Sequence, residues 1–160
     1  MRRVWTVAPA AVAFAAAASL ALGTPGLGII SASVHARGTN AESLNLHSEA
    51  GIKLKTKAGL DFVTQQIVIG PNGTTGWHSH PGPVLVTVKS GSLRLVYADD
   101  DDCEGRTYLP GDSFVDRGDE HVHTAIAGSD GVDLWATYLV PGAPGTPFRI
   151  NADSPGTCPF

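Results

Sequence analysis

The sequence has few charged residues and no cluster of basic ones. Lysine and arginine together number 11, aspartate and glutamate 15, and the formal net charge is −4. Proteins that bind nucleic acids concentrate positive charge on one surface, so we predict no nucleic-acid partner. The chain also lacks any self-similarity at a period of 20 to 50 residues, which excludes a solenoid or another repeat architecture.

Helical periodicity is also missing after the first 23 residues. The chain contains instead short alternating or β-branched segments, such as IKLKTK (52–57) and VLVTVK (84–89). With 19 glycines and 11 prolines the sequence is rich in turn formers without reaching the composition of a disordered protein. Eight or more short strands at this spacing predict an all-β sandwich or barrel. We place it in one domain over residues 24–141, followed by a proline-rich tail over residues 142–160.

The N-terminal segment has the pattern of a secretory leader. Arg2 and Arg3 precede a long uncharged, alanine-rich run, so we predict a signal peptide over residues 1–23. A cut after Ala36 is an alternative, and so is an uncleaved membrane anchor, because the uncharged run is long enough to span a bilayer. No cysteine stands directly after the run, at the position where a lipoprotein would carry its lipid, which argues against a lipoprotein. The predicted location is therefore outside the cytoplasm, secreted or in the cell envelope, or membrane-anchored if the leader is retained.

The chain contains only two cysteines, Cys103 and Cys158. Both lie in polar, turn-like segments, and neither has a histidine beside it in sequence. An even pair of cysteines in an exported protein is most simply a disulfide. This bond would attach the C-terminal tail to a loop near the middle of the domain.

Four of the six histidines occur in two His-x-His units, His78/His80 and His121/His123. Side chains alternate between faces along an extended strand, so each unit presents two imidazoles to one side. Imidazole is the commonest protein ligand for divalent transition metals. Two such units in a small barrel predict a metal site, whereas either unit alone would be compatible with ordinary surface histidines.

These motifs resemble those of the cupin superfamily. The segment GWHSHPGPVLVTVKSG (76–91) is similar to the first cupin motif, and PGDSF (110–114) followed by HVH (121–123) is similar to the second. The resemblance covers residues 60–141. It implies an all-β jelly-roll, or double-stranded β-helix, barrel of cupin type.

The resemblance also implies a set of metal ligands. His78 and His80 match the first two ligands, and His123 matches the ligand of the second motif, with His121 as the alternative. The glutamate that cupins usually add to this set falls at Val84, which cannot bind metal. The implied cofactor is a divalent transition metal, with Fe, Mn, Cu, Ni and Zn all open.

The resulting functional hypothesis is an exported cupin-domain protein with a three-histidine metal site, acting as a dioxygenase-like oxidoreductase on a small molecule. The alternative is a non-catalytic cupin module that binds a metal or a small ligand. Candidate pocket residues are Trp77, Arg117, Trp135 and Tyr138, with Arg117 as a candidate contact for an anionic substrate. The resemblance also makes a homodimer through sheet edges an expectation.

Overall fold

Every regular element in the described part of the chain is a β-strand, as the sequence pattern predicts. The computed structural model describes residues 23–158 and 160, so the predicted signal peptide lies, except for Gly23, outside the described residues. No helix within these ranges has the length and apolar character needed to cross a membrane. The strands are β1 (Leu27–Asn40), β2 (Leu44–His47), β3 (Lys53–Thr56), β4 (Leu60–Thr74), β5 (His78–Ser79), β6 (Val84–Tyr97), β7 (Arg106–Tyr108), β8 (Ser113–Asp116), β9 (His123–Val140) and β10 (Ile150–Asn151).

Eight of these strands form one curled antiparallel sheet with β9 at its centre. β9 pairs with β4 along one edge and with β6 along the other. β1 extends the sheet beyond β4, β7 and β8 pair with β6, and β5 connects β9 to β10. β2 and β3 form a separate hairpin. The structure thus confirms the predicted all-β barrel of jelly-roll type.

Three segments with turn-forming residues lie inside long strands as irregularities. The Ser90-Gly91 signal lies within β6, Gly131 lies within β9, and Pro71-Asn72-Gly73 lies within β4. Gly91 and Gly131 have φ values of 76° and 75°. A Cβ on Gly91 would lie 2.0 Å from the Gly131 carbonyl oxygen. Only glycine therefore allows β6 and β9 to bend together at this corner without breaking their pairing.

The bend changes which residues of β9 point into the barrel. Before it, His123, Ala125 and Ala127 are buried; after it, buried residues resume at even positions such as Leu134 and Ala136. One extra residue in a strand reverses the alternation of its side chains. The first half of β9 therefore places His123 in the barrel interior, and the second half places core side chains such as Leu134 there.

The C-terminal tail is fixed to the barrel by several contacts. β10 pairs with β5, and the N–H of Ala152 donates to the carbonyl of Trp77. The predicted disulfide joins Cys103 to Cys158, and the ring of Phe160 stacks on Trp77. Disulfides are typical of oxidising compartments, in agreement with an exported protein.

Candidate metal centre

Three histidines meet inside the barrel near β5 and the start of β9. The antiparallel register places His78 opposite His123, and His80 lies two residues after His78, on the same side of the chain. One ring nitrogen of each lies within 4.8 Å of the others. The exposed fractions of the three residues are 4%, 3% and 5% for His78, His123 and His80. His121 precedes β9 and lies outside this group.

Backbone carbonyl groups orient all three imidazoles. The Nδ1 to oxygen distances are 2.8 Å for His78 to Gly76, 2.6 Å for His80 to Phe148 and 3.1 Å for His123 to His121. A carbonyl oxygen only accepts hydrogen bonds, so each Nδ1 donates and the tautomer is fixed. With Nδ1 engaged, the second ring nitrogen, Nε2, is the atom of each imidazole that could bind a metal.

Burial keeps His78 and His80 uncharged at neutral pH. It lowers the pKa of His78 well below its ordinary value, and the charges of His123 and Arg149 lower it further. Burial also lowers the pKa of His80 to about 4, although the hydrogen bond to the Phe148 carbonyl opposes this shift. Because a histidine must be unprotonated to bind metal, both rings are in the competent state.

A buried carboxylate that the sequence pattern did not predict lies beside this group. Asp116 ends β8, is 2% exposed, and places its Oδ2 3.0 Å from His123 Nε2. Its Oδ1 accepts the N–H of Gly118, whereas its buried Oδ2 has no hydrogen-bond partner in the described part of the chain. Burial raises the pKa of Asp116, but the contact with His123 outweighs this effect, and the net shift is downward. Two acceptor atoms this close need a cation between them, either a proton or a metal ion.

Asp116 supplies a carboxylate at the point where the expected glutamate is missing. In the pairing of β6 with β8, Asp116 lies directly opposite Val84. Side chains of opposed residues have Cβ atoms about 5 Å apart, and both residues line the same cavity. A carboxylate on β8 thus lies next to the position on β6 where the resemblance led us to expect a glutamate. The lone aspartate at the end of SFVD was its only signal, because the sequence does not reveal this register.

The space enclosed by these residues is small. We call it the histidine cavity; its volume is about 50 Å³. Its polar lining consists of Thr75, His78, His80, Asp116, His123 and Tyr138, and aliphatic and aromatic core side chains form the rest. An ion and a few water molecules fit into such a volume, whereas drug-sized ligands need about 300 Å³ or more. Three Nε2 atoms and an unpartnered carboxylate oxygen form a donor set that suits a divalent transition metal.

Of the four candidate pocket residues, only Tyr138 lines the histidine cavity. Its hydroxyl donates to Gln65 at 2.8 Å, and burial raises its pKa. Trp77 faces the opposite side from His78 and packs in the cluster around the disulfide. Trp135 is on the outer face, 37% exposed, with its ring against His35. Strand alternation turns both tryptophans away from the histidine cavity.

Arg117 also lies outside the histidine cavity. Its guanidinium lies over the ring of Tyr97, 5.0 Å from the centroid. A different arginine, Arg149 of the tail, lies close enough to depress the pKa of both His78 and His80. The expectation that Arg117 contacts an anionic substrate is therefore not supported by its position.

No protein-family model and no curated protein matches the chain. Solved structures similar to it include a cupin-like protein from Thermotoga maritima, at 24% identity over 48% of this chain and 56% of that chain, with a TM-score of 0.42. A protein with a double-stranded β-helix domain from Klebsiella pneumoniae has 20% identity over 74% of this chain and 86% of that chain, with a TM-score of 0.46. An oxalate oxidase in complex with the substrate analogue glycolate has 20% identity over 48% of this chain and 40% of that chain, with a TM-score of 0.39.

Similarities at these levels of identity say nothing about activity or substrate. The chain spans little more than half the length of the Thermotoga protein. The barrel topology and the meeting of His78, His80 and His123 inside it are features of the chain itself. With its curled eight-stranded sheet and its internal histidine cluster, the protein is an all-β barrel of the double-stranded β-helix type.

Proposed function

We propose that the histidine cavity binds one divalent transition-metal ion and supports oxidation of a small molecule, in the manner of a dioxygenase. His78, His80 and His123 would hold the ion through Nε2. The observation that carries the proposal is the shared orientation of the three rings, since each donates its Nδ1–H to a backbone carbonyl. Ligand histidines in metalloproteins are held in this way.

Each residue around the centre has a separate role. The neutral imidazoles leave most of the ion's positive charge uncompensated, and Asp116 offsets part of it from beside His123. Tyr138 stays protonated and directs its hydroxyl to Gln65, so it serves as a wall rather than as a proton donor. The aliphatic lining excludes bulk water. One-electron oxidation chemistry comes from iron, manganese or copper, whereas zinc would supply Lewis-acid chemistry.

A non-catalytic metal-binding module is the alternative, and the small volume of the histidine cavity favours it. About 50 Å³ beside the three histidines admits water or a diatomic gas but no organic substrate. Catalysis therefore requires a substrate to approach from a neighbouring space. Oxygen consumption by the metal-loaded protein, screened over small organic substrates, distinguishes the two functions.

Metal analysis of the mature protein, expressed without a polyhistidine tag, tests the site itself. We expect about one equivalent of a transition metal per chain. The His78→Ala/His80→Ala variant should bind essentially none, because a single remaining imidazole is a weak site. Elemental analysis after reconstitution and desalting is the measurement.

His121→Ala is the matched control for this experiment. It also removes a histidine of a His-x-His unit, but it leaves the backbone carbonyl that accepts the hydrogen bond of His123. It should retain the metal content of the wild type. Wild-type protein that takes up no metal after reconstitution, or that loses it in His121→Ala alone, would contradict the proposed ligand set.

We also propose that the chain is exported and that its leader is removed after Gly23. β1 begins at Leu27 and pairs with β4 over its whole length, so this cut leaves the strand intact. The alternative cut after Ala36 would remove most of β1. Intact mass measurement of the exported protein should give a mature N-terminus at residue 24; an N-terminus at residue 37 would show that β1 is dispensable.

A further inference from the structure

A second and larger pocket adjoins the histidine cavity. It lies between residues 25–26, the barrel wall and the C-terminal tail. Its volume is about 360 Å³. We call it the tail pocket. It shares four lining residues with the histidine cavity: Ile67, Thr75, His78 and Tyr138. The two spaces are therefore separated by single side chains, and the tail pocket has the size of a small-molecule site.

Among the described residues that line the tail pocket, Arg149 is the one with a charged side chain. Its Nη2 donates to the carbonyl of Thr75 at 2.7 Å, and its Nε donates to Asn151 Oδ1 at 3.1 Å. A guanidinium has five N–H donors, so three remain beyond these two hydrogen bonds. Within residues 23–158 and 160, no carboxylate forms an ion pair with it.

The position of Arg149 is costly without an anion. Arg149 is half-buried, and this partial loss of hydration lowers its pKa. A partly desolvated charge is normally compensated by a charged partner. The two contacts to Thr75 and Asn151 fix the guanidinium plane beside the shared wall and leave its remaining donors available. This is the arrangement of a preorganised anion subsite.

We propose that the tail pocket binds a small organic carboxylate, with the carboxylate on Arg149 and the rest of the molecule directed towards His78. The contact with Arg149 does not depend on a metal. The orientation of the molecule towards the histidine cavity rests on the proposed function. In that orientation the carboxylic acid is the substrate or ligand that approaches the metal ion. The protein would then act on, or sense, small carboxylic acids.

The composition of the tail pocket favours a carboxylate over a phosphate. Arg149 supplies one positive charge, and the described part of the chain adds no lysine or second arginine to the lining. A monoanion matches this charge, whereas a phosphate dianion would leave a charge uncompensated in a partly desolvated site. Apolar side chains, including Ile29, Ala32 and Phe148, line the rest of the pocket and suit the hydrocarbon part of an organic acid.

Calorimetric titration of the mature, metal-free protein with propionate tests the Arg149 contact. Propionamide, which has the same shape without the charge, is the ligand control. We expect propionate to bind and propionamide to bind at least about tenfold more weakly. Arg149→Gln should weaken propionate binding by at least about tenfold, and Arg149→Lys, which keeps the charge without the planar fork, by less.

Arg106→Gln is the matched protein control, since Arg106 lies over Tyr108 on another face of the barrel. It should bind propionate as the wild type does. Thermal unfolding of each variant shows whether the tail stays in place. The proposal is overturned if propionate does not bind, if propionamide binds equally well, if Arg149→Gln leaves binding unchanged in a folded protein, or if inorganic phosphate binds more tightly than propionate.

Cobalt-loaded protein tests the direction of the bound molecule. With zinc-loaded protein as the diamagnetic reference, the paramagnetic relaxation of the propionate methyl protons should exceed that of its methylene protons, because the apolar end faces His78. A stronger effect on the methylene protons, or no effect on either, would overturn the proposed direction. The two proposals can fail separately: propionate binding that needs Arg149, in a protein that never takes up metal, contradicts the metal site and leaves the carboxylate subsite standing.

Discussion

Asp116→Asn is expected to lower the affinity for a divalent metal ion by about 10- to 100-fold. The substitution keeps the shape of the side chain and its hydrogen bond from Gly118, but it removes the negative charge beside His123. Asparagine also presents N–H donors that can occupy the Nε2 lone pair of His123, in competition with the ion. Competition titration against a chromophoric chelator measures the change. Asp130→Asn, at an exposed position of β9, is the matched control and should bind as the wild type does.

The register of β6 and β8 allows a second test of the same carboxylate. Because Val84 lies opposite Asp116, the double variant Val84→Glu/Asp116→Ala moves the carboxylate from one strand to the other. We expect it to recover part of the affinity lost in Asp116→Ala alone. Wild-type affinity in Asp116→Asn would show that the carboxylate takes no part in the site, and the unpartnered Oδ2 would need another explanation.

Cys103→Ser/Cys158→Ser is expected to destabilise the fold and to loosen the metal site together. The disulfide closes a loop with a sequence separation of 55, which corresponds to a loss of about 4 kcal/mol in the free energy of unfolding. We expect the melting temperature to fall by about 10 °C. The tail also provides the Phe148 carbonyl that orients His80 and the strand β10 that pairs with β5. Metal dissociation should therefore be faster in the variant.

Reduction of the wild type provides the control for the cysteine variant. A reductant should lower the melting temperature of the wild type to that of the double variant and leave the variant itself unchanged. Calorimetry under both conditions, with a chelator chase to follow metal release, gives the two readouts. A melting temperature that falls while metal release stays at the wild-type rate would show that the tail stabilises the barrel without supporting His80.

The fold was largely predictable from the sequence because strand alternation and turn formers are local signals. They placed strands at 52–57 and 84–89, where β3 and the first part of β6 lie, and the even cysteine count predicted the disulfide. They do not distinguish the bends at Gly91 and Gly131 from chain reversals, because a glycine that bends a continuous strand has the same sequence signature as one that reverses the chain. The difference depends on whether hydrogen bonding with the neighbouring strand continues through the bend, and that is a property of the assembled sheet.

The histidines of the candidate site were predictable from the sequence, whereas Asp116 and Arg149 were not. Alternation along the strand puts His78 and His80 on one face, and the resemblance favoured His123 over the alternative His121; the structure brings His78, His80 and His123 together. Asp116 could not be found in this way, since its importance comes from lying opposite Val84 on another strand. Arg149 could not be found either: it lies in a tail whose composition predicts no regular structure, and β10 is what places it beside Thr75.

The placement of His80 under the tail has a consequence for the identity of any bound ion. The three histidines are almost completely buried, and one is oriented by a carbonyl that belongs to the disulfide-bonded tail. An ion held by them can leave only when this part of the protein opens, and such local opening is rare in a stable domain. Exchange of a bound ion should therefore be slow compared with purification, although long incubation during reconstitution allows it. Samples purified from different hosts can then carry different metals without any difference in sequence.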